Sequence, residues 1–170
     1  MLKPFDQLPS TSRLWIYQAS RKFSLPERQL IRTQLDALCE EWSAHGVPLH
    51  TSYEVMFDQF IILAVDESSA GASGCSIDGS VRTLKAIQQE VGLDFFNRQE
   101  IAFLINESIH TYAMSAMSTL FVNGVLNGET ITFNNALTTK NEWENGWKIP
   151  VKDSWLARYL PKSVVAKPSH

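Results

Sequence analysis

Between Arg13 and Ala19 the chain reads RLWIYQA, rich in aromatic and β-branched residues, which predicts a strand. Ser24-Leu25-Pro26-Glu27 follows as a capping box with Pro inside the first turn. It opens a helix whose apolar positions, Leu30, Ile31, Leu35, Leu38, Cys39 and Trp42, share one face. His45-Gly46 closes that helix and Pro48 blocks its continuation. Ser52 to Phe57 alternates, with Tyr53, Val55 and Phe57 on one side. After Asp58-Gln59, Phe60 to Val65 is nearly all apolar, as in a strand buried on both faces. A second helix is predicted from about Asp78 to Val91, with Gly92 as its C-cap.

Gln99 to Ile105 predicts a fourth strand, Thr111 to Val122 a third helix, and Glu129 to Phe133 a short strand. Thr138 to Lys148 reads as irregular, Asp153 to Leu160 as a short helix stopped by Pro161, and 161–170 as a frayed tail.

The order strand, helix, strand, strand, helix, strand over residues 13–105 is that of an α+β, ferredoxin-like βαββαβ core. Residues 106–160 then form a C-terminal helix–strand–helix extension over the sheet's open face or edge, all within one domain spanning 1–170. On this reading the first and third strands are central and parallel. Their outgoing loops, Ser20 to Ser24 and Asp66 to Ile77, are expected to open at one end of the sheet.

The second of these loops changes the picture. Asp66 to Ser80 (DESSAGASGCSIDGS) holds five Ser, three Gly and one Cys, and leads into a helix. Connections this long in compact domains tend to be functional or disordered. Gly and Ser supply backbone and hydroxyl donors, and a helix N-terminus adds partial positive charge. Ser73, Gly74, Cys75 and Ser76 are therefore expected to line a site for a small anionic ligand. Arg82, from the helix's first turn, and Arg21 and Lys22, from the facing loop, would supply charge. Ser76 or Asp78 is the expected cap. The thiol of Cys75, just before a helix, is the one candidate for catalysis. The opposing interpretation of the loop is a solvated connection with an ordinary cap.

No G-x-x-x-x-G-K-[ST], G-x-G-x-x-G or G-x-S-x-G is present, so no nucleotide-binding or hydrolase motif supports an enzyme assignment. Whether the chain is an enzyme stays open, as does any cofactor. Four histidines without H-x-x-x-H spacing give no zinc signal, and no metal is expected. Asp66-Glu67 ends the buried strand, where paired acids serve as base, metal ligand or cap. Cys39, on the apolar face of the first helix, reads as core.

Composition subtracts further classes. At 170 residues and 44% hydrophobic, the chain can bury a core without staples. A net charge of -3 and a pI of about 5.8 argue against nucleic acid as partner. No apolar run approaches membrane-spanning length, and two cysteines without a leader pattern suit a soluble cytoplasmic protein with reduced thiols. Charge is uneven: five bases against one acid from Arg13 to Arg32, then seven acids and no Lys or Arg from Asp36 to Glu67. Bases at the start of the first helix and acids at its end oppose its dipole. Trp143, Trp147 and Trp155 read as anchors for the C-terminal segment or as a partner surface.

The stretches Phe60 to Glu67, Ala72 to Asp78 and Ser80-Val81-Arg82 resemble a family of short uncharacterised bacterial proteins. The resemblance continues through Asp94 to Arg98, Phe133-Asn134-Asn135 and Pro150 to Leu160. Some members carry the label "ABC transporter ATPase", which the absence of a Walker A lysine contradicts here. The resemblance implies no catalytic residues. Two functions remain: binding of a small anionic ligand at the Ser/Gly/Cys loop, or a protein-interaction or assembly module, with a protein partner or a homo-oligomer, that catalyses nothing.

Overall fold

The computed structural model describes residues 1–162, a mixed α and β chain. The expected frayed tail lies, from residue 163 on, outside the described residues. The chain divides into two compact units: Met1–Arg98 with Asn134–Trp147, and Gln99–Phe133 with the chain from Lys148. The predicted core of 13–105 thus loses Gln99 to Ile105 to the second unit.

In the first unit, β1 (Arg13–Gln18) leads to α1 (Leu25–Glu41). The Ser24/Glu27 capping box is formed as predicted. A two-residue hairpin, β2 (Ser43–Ala44) and β3 (Val47–Pro48), turns at His45 and Gly46, both at positive φ. Then come β4 (His50–Met56), β5 (Phe60–Asp66) and α2 (Gly74–Val91), which ends at Gly92 in the left-handed conformation.

The sheet order is β1-β5-β4, and every pairing is antiparallel. This corrects the expectation of parallel first and third strands. The helical crossover α1 makes β4 parallel to β1, and the tight hairpin then reverses β5 against both. A fourth strand does not join either: β6 (Glu100–Ile105) pairs elsewhere, so the ferredoxin-like order is incomplete. The outer edge of β1 instead meets the returning chain, where Leu14 N–H donates to Thr138 C=O at 2.8 Å and Arg13 bridges Thr139.

β5 is buried along its whole length, as its unbroken apolar run requires. Ile61, Leu63 and Val65 pack with Ile31 and Leu35 of α1 and Leu84 and Ile87 of α2, so both helices cover one face. The other face holds Phe60, whose ring meets Trp147 edge-on at 5.0 Å. Trp147 is 3% exposed and Trp143 packs on Phe5 at 5.5 Å, so both act as anchors. Trp143 lies within α4 (Lys140–Gly146) and Trp147 is its C-cap, where an irregular stretch was expected; the helix is capped at its start by Thr139 and Glu142.

The second unit has a four-stranded sheet in the order β7-β6-β8-β9, all antiparallel, with β7 (Ser108–Ala113), β8 (Ile131–Phe133) and β9 (Lys148–Pro150). Its core contains Ile101, Phe103, Met117, Phe121, Leu126, Val151 and Leu156. The predicted helix from Thr111 shrinks to α3 (Met117–Val122), because Asn106 and Glu107, both at positive φ, turn the chain into β7. The predicted helix over 153–160 is two short 3-10 segments. Trp155 is 51% exposed and packs within its own segment, edge-on to Tyr159 at 6.2 Å and beneath the Arg158 guanidinium.

Candidate functional site

The expected loop is shorter than its sequence suggests. α2 begins at Gly74, four residues before Asp78, and Ser73 is the cap, not Ser76 or Asp78. Ser76 N–H donates to Ser73 Oγ at 3.2 Å and Ser76 Oγ donates to Ser73 C=O at 2.8 Å. Gly74, Cys75 and Ser76 therefore lie in the first helical turn. Only residues 67–73 remain as connection, and the acids at its start fold it: Asp66 Oδ1 accepts from Ser68 N–H at 2.9 Å, and Glu67 Oε1 from Ala72 N–H at 3.1 Å. The Ser68 hydroxyl, and then its N–H, hold the Asp66 carboxyl below its ordinary range. Glu67 also meets Arg13 at 3.5 Å, and Asp66 lies 3.9 Å from His50. The acids thus shape the loop. Among the described residues no cluster of His, Cys, Asp or Glu could hold a metal ion.

The facing cations are not there. Because β1 and β5 are antiparallel, the loop after β1 opens at the opposite end of the sheet. Ser20 N–H donates to Asp94 C=O at 3.0 Å, and Arg21 Nη2 lies 3.5 Å from Val91 C=O at the C-terminus of α2. Cys75 is 16 residues away along that helix, about 24 Å at 1.5 Å per residue. Arg21 instead holds Glu27 through two bonds of 2.9 and 2.8 Å. Lys22 is exposed beside it. The expected convergence of Arg21 and Lys22 with Ser73–Ser76 is therefore corrected, and the direction of a hairpin is the reason.

Arg82 is the ninth residue of α2, in its third turn rather than the first turn expected. Its Nη2 would be 3.6 Å from a Cβ placed on Gly79. Cys75 is exposed and free. Cys39 is buried, and burial pushes its thiol up to about 12.

A groove of about 360 Å³ runs between α1 and α2. From α2 it is lined by Ser76, Gly79 and Thr83; from α1 and its end by Gln34, Glu41 and Trp42. The indole N–H of Trp42 is buried and has no hydrogen-bond partner among the described residues. The ring packs on Trp15 at 5.7 Å. The two helices are antiparallel here, so the acidic end of α1 lies beside the N-terminus of α2. The charge order that opposes α1's own dipole is favourable to its neighbour. Of the expected residues only Ser76 lines this groove. The others were missed, although Ser76, Gly79, Ser80 and Thr83 stand at i, i+3, i+4 and i+7, a stripe of small residues on one face.

Among the described residues no helix is long and apolar enough to cross a membrane. No family model, curated protein or solved structure matches this chain.

Proposed function

We propose that the protein binds a small anionic ligand in the groove between α1 and α2. The observation that carries this is the groove itself, about 360 Å³ and lined by hydroxyl, amide and carboxylate groups beside Ala37, Leu38 and the Trp42 ring. The first turn of α2 contains no acid, so its N–H groups and dipole favour negative charge. Ser76 and Thr83 offer hydroxyls, and Arg82 lies within reach of the same stretch. Gln34 and Glu41 across the groove suit donor groups on the ligand. No catalytic step is included, because Cys75 lies outside the lining and no base partners it among the described residues.

The test is the melting temperature of the full chain against a panel of phosphorylated and carboxylate metabolites. A ligand at 100 times its Kd stabilises by about 2.7 kcal/mol, about 5–10 °C for a chain of this size. The shift is expected to vanish in Gly79→Leu, which fills the groove, and to shrink in Arg82→Ala. Lys22→Ala, at the far end of α2, is expected to leave it intact. A hit that survives Gly79→Leu overturns the placement. A flat panel overturns the ligand and leaves the interaction module.

A further inference from the structure

Three Asn-Gly pairs occur in the chain: Asn123-Gly124, Asn127-Gly128 and Asn145-Gly146. In each, the glycine nitrogen carries no neighbouring Cβ to shield it and can attack the side-chain amide of the asparagine before it. The dipeptide is the same in all three. The fold separates them by two properties: whether the glycine nitrogen is free, and whether the asparagine amide carbonyl is polarised.

Asn145 and Gly146 lie in α4, and Asn145 Nδ2 donates to Asn141 C=O at 2.7 Å. Gly146 is the last residue of that helix, so its N–H belongs to the helical ladder. Asn123 is the C-cap of α3, and Gly124 N–H donates to Phe121 C=O at 3.3 Å. Among the described residues nothing donates to the Asn123 amide oxygen. Asn127 differs on both counts. Its Oδ1 accepts from Glu129 N–H at 2.8 Å. Gly128 N–H donates to no group among the described residues, although Gly128 C=O accepts from Lys152 N–H at 3.0 Å. The turn closes around that free nitrogen: Asn127 N–H donates to Thr130 Oγ1 at 3.0 Å, and Thr130 N–H to Asn127 C=O at 3.2 Å. Asn127 is exposed, so water reaches it.

We propose that Asn127 is a site of spontaneous deamidation, selected by this turn. The Gly128 nitrogen gives its proton to hydroxide and bonds to Asn127 Cγ, closing a succinimide ring. The negative charge of the tetrahedral intermediate falls on Oδ1, where Glu129 N–H already donates. The Cγ–Nδ2 bond then breaks, and Nδ2 takes a proton from water and leaves as ammonia, regenerating hydroxide. Water opens the ring at either carbonyl, giving an aspartyl or an isoaspartyl residue at position 127. Both products add a negative charge near Glu129, which pairs with Lys152 at 2.6 Å. The isoaspartyl product also adds a methylene to the main chain directly after Leu126, which is buried in the core of the second unit.

The experiment is incubation of the full chain in mildly alkaline buffer, native and in guanidinium chloride, followed over time by mass spectrometry. Cleavage after Glu107 and Glu129 puts Asn123 and Asn127 on one peptide. Electron-transfer fragmentation then locates each conversion and distinguishes aspartyl from isoaspartyl. In the native chain Asn127 is expected to convert at least fivefold faster than Asn123 or Asn145, with isoaspartyl in the product. In guanidinium the three rates are expected to converge. Conversion at Asn127 no faster than at Asn123 or Asn145 in the native chain overturns the proposal. A product without isoaspartyl also overturns it, because it would mean direct hydrolysis of the amide. So does an equal preference for Asn127 in guanidinium, which would assign the selectivity to neighbours in sequence and not to the turn.

Discussion

Gly79 is the sixth residue of an 18-residue helix, where glycine is costly. An unstrained interior glycine leaves a helix about 0.8–1.0 kcal/mol less stable than alanine would. Its φ is not in the left-handed region, and a Cβ placed there meets only Arg82 Nη2 at 3.6 Å, the far end of a flexible side chain. No steric term therefore offsets the gain. Gly79→Ala is expected to stabilise the chain by about 0.8 kcal/mol, raising the melting temperature by about 2–3 °C. Gly79→Leu should retain most of this gain, because the added atoms enter the groove. Paired thermal and urea unfolding of the three proteins measures it, with m unchanged. Destabilisation by Gly79→Ala would refute the reasoning, since it would mean that α1 approaches α2 too closely for a groove to exist. Stabilisation in the free protein combined with loss of a ligand-induced shift would show residue 79 trading stability for binding.

Three further outcomes follow from the same geometry. Arg21, and then the Ser24 N–H, hold the Glu27 carboxyl down to about 2. A depressed carboxylate contributes stability that is present above its ordinary value of 4.5 and is lost as pH falls towards 2. The wild-type melting temperature is expected to fall more steeply over that window than that of Glu27→Gln, and equal slopes would refute the contribution. Ellman's reagent at pH 8 should titrate Cys75 rapidly in the native chain and Cys39 only on unfolding; two fast thiols would contradict the burial of Cys39. Asn106 and Glu107 occupy a two-residue turn with both φ positive, which favours Asn-Gly. Glu107→Gly should therefore raise stability by about 0.5–1 kcal/mol in a denaturant titration, whereas a loss would mean that the Glu107 side chain makes a contact that matters.

The elements legible in the sequence are those whose signals are local. The Ser24/Glu27 box, the apolar run of β5 and Gly92 as a C-cap each specify a structure within a few residues. Thr139 and Glu142 form an equally local box, but the Trp- and Asn-rich stretch after it has too little periodicity to draw attention to it. β7 was hidden because Ser108 to Ala113 is polar enough to pass for a helix start, and only the Asn106-Glu107 turn marks it. Of the groove's lining, Ser76 alone was legible, from the helix start and the Ser/Gly composition. The direction of β5 follows from the β4–β5 hairpin, and misjudging it sent Arg21 and Lys22 to the wrong end of α2. The groove depends on which faces two helices separated in sequence present to each other, and neither helix's own pattern contains that.

The first unit is discontinuous in the chain: it closes only when Asn134–Trp147 returns to it. During synthesis at about 5–20 residues per second, the 49 residues from Gln99 to Trp147 take about 2–10 s to appear. Through that interval Phe60 lacks the indole that covers it and β1 has no partner on its outer edge. The nascent chain therefore passes through a stage with an uncovered apolar sheet face and an open strand. Chaperone capture or mispairing would act at that stage, before the last fourteen residues of the unit arrive.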